Sequence, residues 1–223
     1  MKQHMSGWID LTQPIYPYMM VWPGDPEVET ASVCQHQEDG CQVTRLNMGM
    51  HTGTHVDVPY HVRSDGKKIT DFSLDAFWGR GQVLDFSGLP ADFIIEKKAL
   101  SAVLRKDLPL EILCIRTDWE KYYETEKYFR HPVLSMESAC FLREQGIRVL
   151  GMDTPGPEGL AAAGLPVHHC LLEQEILLVE NLRNLQQLNA GMIYEFSLFP
   201  LFLKAAEGAP VRAAAREGRQ EYV

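Results

Sequence analysis

The chain has 223 residues, 45% hydrophobic and 23% charged, which is ordinary for a soluble globular protein and unlike a disordered or fibrous chain. Its net charge of −9 repels a phosphate backbone, and no cluster of Lys and Arg reverses that locally, so a nucleic-acid partner is excluded. No apolar run is long enough to span a bilayer, and the opening MKQHMSGWIDLTQ lacks the apolar core of a signal peptide, so no membrane partner and a cytoplasmic location are expected.

No linker, repeat or low-complexity tract divides the chain, and a single domain over 1–223 is expected. The 5 cysteines, Cys34, Cys41, Cys114, Cys140 and Cys170, lack C-x-x-C spacing and read as free buried thiols. In chain order, segments rich in branched residues predict strands near 8–12, 43–51, 82–87, 111–117, 147–152, 176–181 and 194–203, with helices near 96–106, 135–145 and 166–174. The alternation means a mixed α/β fold. Ser135 suits the N-cap of the second helix, with Glu137 in its first turn and Gly146 just beyond its end.

The stretch His51-Thr-Gly-Thr-His55-Val-Asp57-Val-Pro-Tyr-His61 concentrates three histidines and an aspartate within eleven positions. Imidazole and carboxylate donors suit Zn(II), Mn(II) or Fe(II), and His51, His55 and Asp57 supply three of them. From Leu46 to Val58 the even positions are mostly apolar, so in extended chain the odd-numbered donors share one face. A bend is expected near Gly53 and a strand end near Pro59, which would place the donors at the rim of a sheet.

Downstream, Glu180 interrupts the apolar run Ile176-Leu-Leu-Val179. A carboxylate there needs a cation or donors to offset burial; it could equally lie in solvent or pair with Arg116 or Arg183. His168 and His169 are neighbours on a predicted helix, about 100° apart, so only one can reach the same ion.

With both constellations in view, the chain resembles the cyclase-like metal-dependent hydrolases, among them bacterial kynurenine formamidases (arylformamidases) and isatin hydrolases. The family pattern H-x-G-T-H-x-D-x-P-x-H is matched at every fixed position from His51 to His61. Trp8-Ile-Asp-Leu-Thr, Trp22-Pro-Gly-Asp-Pro26 and Gly151-Met-Asp153-Thr-Pro extend the likeness along the chain, whereas Gly156-Pro157-Glu158-Gly159 departs from the family's Ser-Val-Asp type of segment.

The resemblance implies an α/β fold of the swivelling β/β/α type, a compact domain with a barrel-like mixed sheet flanked by helices, assembled as a homodimer or higher homo-oligomer. It implies two divalent ions per subunit, Zn(II) in the first place and Mn(II) in the second, one held by His51, His55 and Asp57, the other by Asp57, His168 and Glu180. His61 matches the family's catalytic histidine. The activity implied is hydrolysis of an amide by metal-activated water, with N-formylkynurenine or a similar aryl formamide as substrate; a cyclic amide such as isatin is the alternative, and a metal- or ligand-binding protein without turnover the third reading. An aromatic small molecule needs apolar walls, for which Trp22, Tyr60, Phe72 and Trp78 are candidates because they lie in or near the motif.

Overall fold

The computed structural model describes residues 7–105 and 109–218. The chain forms β1 (Ile9–Asp10), β2 (Glu29–Cys34), α1 (His36–Asp39), β3 (Val43–Asn47), β4 (His55–Asp57), β5 (Trp78–Asp85), β6 (Ile94–Ile95), α2 (Lys97–Val103), β7 (Ile112–Arg116) and β8 (Val133–Leu134). There follow α3 (Met136–Arg143), β9 (Val149–Met152), α4 (Pro166–Leu172), β10 (Leu177–Glu180), β11 (Ile193–Ser197), β12 (Gly208–Pro210) and β13 (Ala214–Glu217).

Nine strands make one sheet in the order β1-β13-β11-β5-β7-β9-β10-β4-β12. Its centre, β5-β7-β9-β10, is parallel, and both flanks are antiparallel. Of the central strands, β7, β9 and β10 are nearly continuous apolar runs because both their faces are buried. Leu113 and Ile115 of β7, Leu150 and Met152 of β9, and Leu178 of β10 pack under α2, α3 and α4 with Leu100, Phe141, Leu142, Val167 and Leu171. Alternate residues, Ile112 and Cys114, Val149, then Leu177 and Val179, join a second cluster that also holds Val56 of β4, Ala209 of β12, Phe196 of β11 and Ala215 of β13. Ala209 and Ala215 come from strands near opposite ends of the sheet order yet share that core, so the sheet curls into a half-barrel, in keeping with the barrel-like sheet expected.

The predicted elements are present, most with trimmed ends, while β5 begins at Trp78, ahead of the predicted 82, and β11 at Ile193. The expected capping of α3 is met: the Ser138 N–H donates to Ser135 Oγ at 3.1 Å and Gly146 lies just past the helix with φ +74°. Helix α2 spans Lys97–Val103 within the range predicted near 96–106, whose last position lies outside the described residues. The opening tract considered for targeting lies partly outside them too, through position 6. No helix among the described residues is long and apolar enough to cross a membrane.

Two expectations are corrected. The strand predicted near 43–51 is not part of the main sheet: β3 ends at Asn47 and pairs only with β2 in a separate two-stranded ribbon, where Val43 and Leu46 are exposed, while Met50 beyond it packs on the core. Strand-like alternation records a pleat, not what covers it. Of the five thiols, Cys114 alone is buried; Cys34, Cys140 and Cys170 are half-buried and Cys41 is exposed.

Candidate metal centre

The motif folds as a turn, a three-residue strand and a 3-10 turn. Gly53 adopts φ +58°, a left-handed conformation that disfavours side-chain-bearing residues, and this is the expected bend. Its carbonyl is then held by His55 Nδ1 at 2.9 Å and by the Asn181 amide at 3.0 Å. The buried Thr54 hydroxyl donates to the Asn181 carbonyl at 2.6 Å and accepts the Gln13 N–H at 2.8 Å. The fixed threonine of the pattern thus fastens the loop to the end of β10. Pro59 opens a 3-10 turn at Pro59–His61, which aims His61 back over the motif.

Strand register completes the constellation. Antiparallel pairing of β4 with β10 sets His55 opposite Glu180 and Asp57 opposite Leu178. His55 and Asp57 therefore share a face, while Val56 points into the core. Glu180 closes the C-terminal end of β10, so the site lies outside the carboxyl ends of the parallel strands.

Asp57 is the centre. Its Oδ1 is 2.8 Å from His51 Nδ1 and 3.3 Å from His55 Nε2, and its Oδ2 is 3.6 Å from His168 Nε2. Glu180 reaches His168 Nε2 at 3.1 Å through Oε1 and His55 Nε2 at 3.5 Å through Oε2. His61 stacks obliquely on His51, with ring centroids 4.3 Å apart, and lies 5.7 Å from the His168 ring. All six predicted site residues thus line one cavity. His169 points away, to an exposed pairing with Glu173 at 2.8 Å. Arg116 engages Asp118 and Asp85, and Lys67 engages Glu175, so Glu180 has the histidines as its partners in place of an arginine.

Charge follows from that packing. Burial alone would raise the Asp57 carboxyl, but His51, His55 and His168 hold it well below the usual carboxylate range. Burial and the Asp57 charge raise Glu180. Burial opposes protonation of His51, yet Asp57 outweighs it and lifts the imidazole to about 9. His61 is pushed the other way, to about 4, by burial and by the neighbouring histidines against the pull of Asp57.

The donor set fits a divalent cation. Because the Gly53 carbonyl can only accept, His55 Nδ1 carries the proton and Nε2 presents its lone pair to the cavity. His55 Nε2 and Asp57 Oδ1 are both buried without a hydrogen-bond partner; although His51 lies close to Asp57 Oδ1, it is not aligned to donate. Donor atoms of His55, Asp57 and Glu180 lie within 4.8 Å of one another, as do those of His51, Asp57 and His61. Buried nitrogen and oxygen donors facing each other in this way suit a metal far better than an apolar core.

The cavity walls differ in part from expectation. Trp22 lines the cavity and meets Phe129 edge to face at 5.6 Å, but Tyr60 and Phe72 pack on the core, and Trp78 donates to Glu195 on another surface. Tyr123, Tyr128 and Phe129 supply the missing wall. Glu158 is the other unforeseen residue, buried in the segment that departs from the family pattern and bonded to His168.

A curled mixed sheet carrying a histidine–carboxylate cluster at the ends of its parallel strands defines an α/β protein built to hold a divalent cation. Residues 9–159 match the cyclase family, whose model is described as "Putative cyclase". A kynurenine formamidase of Bacillus cereus is 36% identical over 213 residues, covering 95% of this chain and 98% of that protein; one of Bacillus cytotoxicus is 32% identical over the same length. Among solved structures, a potential metal-dependent hydrolase with cyclase activity aligns with TM-score 0.79 and 26% identity, over 96% of this chain and all of that one. Isatin hydrolase A from Labrenzia aggregata, bound to benzyl benzoate, aligns with TM-score 0.83 and 25% identity, over 93% and 92%. The chain belongs to the cyclase family.

Proposed function

We propose that the protein is a metal-dependent hydrolase that cleaves the amide bond of an aryl formamide, N-formylkynurenine or a close analogue, to formate and an aryl amine. The observation that carries this reading is the pair of buried, partnerless donors His55 Nε2 and Asp57 Oδ1 beneath an aromatic-walled cavity. Identity to kynurenine formamidases over nearly the whole chain supports the substrate.

In this reading His51, His55 and Asp57 would hold one divalent ion, and Asp57, His168 and Glu180 a second, with Zn(II) ahead of Mn(II). When bound, such ions lower the pKa of water and polarise a carbonyl. The chain's residues do the rest. Trp22 and Phe129 flank the aryl ring and exclude bulk water. His61, neutral at pH 7, accepts the proton of the attacking water as its oxygen adds to the formyl carbon. It then delivers that proton to the amide nitrogen as the C–N bond breaks, releasing the amine and formic acid, which gives its remaining proton to solvent and leaves as formate. The Gly53 carbonyl, accepting from His55 Nδ1, keeps that imidazole aimed inward throughout.

The second reading, hydrolysis of a cyclic amide, rests on the likeness to isatin hydrolase A. Its ring amide would occupy the same aromatic wall. A homodimer is proposed with either reading; exposed Phe202, Leu201 and Tyr18 offer apolar surface to a second copy.

The test is metal content by elemental mass spectrometry, paired on one preparation with formate release from N-formylkynurenine before and after chelation, and with isatin hydrolysis in parallel. Close to two ions per chain with chelator-sensitive formate release supports the formamidase. Ring opening of isatin without formate release favours the cyclic amide, and failure to bind metal after reloading overturns both.

A further inference from the structure

His168 reaches the cavity from the first turn of α4, a helix of seven residues that begins at Pro166. A short helix carries little stability of its own, and χ rotation could turn an imidazole out of line. Both freedoms are removed by one side chain, Glu158. Its Oε1 accepts the backbone N–H of Val167 at 2.7 Å and of His168 at 3.0 Å. Its Oε2 accepts from His168 Nδ1 at 2.6 Å. Glu158 is itself 6% exposed, and its own carbonyl is held by His131 Nε2 at 3.0 Å.

We infer that Glu158 is a positioning residue: it keeps a proton of His168 on Nδ1, so that Nε2 is the nitrogen left to ligate an ion shared with Asp57 and Glu180, and it fixes the backbone that carries the ring. The inference rests on the reading of His168 as a metal ligand. The chemistry is that of an outer carboxylate orienting a ligating imidazole, which commonly contributes ten- to hundredfold in metal affinity. The carboxylate is needed for a countable reason. Three N–H groups converge on Glu158, and its two oxygens serve all three. A glutamine has a single oxygen, which can face the two backbone N–H groups or the ring N–H but not both.

His169 provides the control within the same helix. Its Nδ1 meets Glu173 Oε1 at 2.8 Å in an exposed pair that touches nothing in the cavity. The two His–Glu pairs share the Nδ1-to-carboxylate contact and differ in spacing, in burial and in where the ring's other nitrogen points.

The experiment measures zinc affinity by competition with a chromophoric chelator for wild type, Glu158→Gln, Glu158→Asp and Glu173→Gln, with the His168 ring protons of the zinc-loaded proteins followed by nitrogen-edited NMR. Wild type should show a solvent-protected Nδ1 proton. Glu158→Gln should lose that proton and ten- to hundredfold in affinity, Glu158→Asp should restore the proton and part of the affinity, and Glu173→Gln should match wild type. Wild-type affinity in Glu158→Gln would overturn the inference. If that variant does not fold, an unprotected or absent His168 Nδ1 proton in zinc-loaded wild type overturns it alone. Failure of wild type to bind zinc would count against the ligand reading itself, a result distinct from the other two.

Discussion

Glu180 and His55 face each other across the β10–β4 pair, with Oε2 of one 3.5 Å from Nε2 of the other and both side chains buried. Without a cation, Glu180 also confronts the Asp57 carboxylate, whose charge raises it further. Such a pair is a cost carried for binding.

Glu180→Gln removes that charge at nearly constant shape. In chelated protein the variant should unfold at the same or a higher temperature than wild type, while zinc affinity falls at least tenfold. Thermal melts with and without metal, combined with chelator competition, check both. Unchanged affinity would remove Glu180 from the ligand set.

His61 is the one imidazole of the cluster held strongly toward neutrality, and it stacks on His51 rather than bridging carboxylates. His61→Ala should retain the metal content of wild type and lose roughly a hundredfold or more in kcat on an aryl formamide. Elemental analysis beside steady-state kinetics decides it. Loss of an ion would make His61 a ligand with His51 and Asp57, and full activity in the loaded variant would remove it from the proton path.

How much of this was legible in the sequence depended on whether chemistry and spacing coincided. His51, His55, Asp57 and His61 lie in one continuous turn–strand–turn, so their offsets already imply convergence. Glu180 was legible because a carboxylate ending an apolar run needs a partner. Tyr123, Tyr128 and Phe129 were not, because they come from a segment of 3-10 turns without periodicity, far from the motif in sequence. Glu158 was hidden by a Gly- and Pro-rich stretch whose fold depends on α4. The end of the strand predicted near 43–51 was not legible, because the alternation continues past Asn47, where pairing with β2 stops.

Gly208 tests the closeness of β12 to the site. It pairs with Asp57, and a Cβ built there would lie 2.9 Å from the Val56 carbonyl oxygen, 3.2 Å from Asp57 Oδ1 and 3.2 Å from His51 Cε1. The nearest neighbour is backbone and cannot step aside. Gly208→Ala should therefore destabilise the fold by about 1–3 kcal/mol and weaken metal binding. Gly53→Ala, in contrast, is strained by its φ of +58° and should cost about 1–2 kcal/mol. Urea titrations of chelated protein separate the fold cost from the metal cost.

His131 gives a pH prediction independent of the metal ligands. It is fully buried, Nε2 bonds the Glu158 carbonyl, Nδ1 has no partner, and burial pushes the imidazole down to about 4 against the help of nearby carbonyls. Its unfolded value is the ordinary 6.5. Between those two values the unfolded chain binds a proton that the folded protein does not, so the contribution to stability is present above 6.5 and is lost as pH falls toward 4. From pH 7 to pH 5 the loss amounts to about 2 kcal/mol for this group. His131→Asn cannot take up that proton. In urea denaturation of chelated protein, wild type should therefore lose about 2 kcal/mol more than the variant between pH 7 and pH 5. Equal losses would mean that His131 already titrates normally in the folded state.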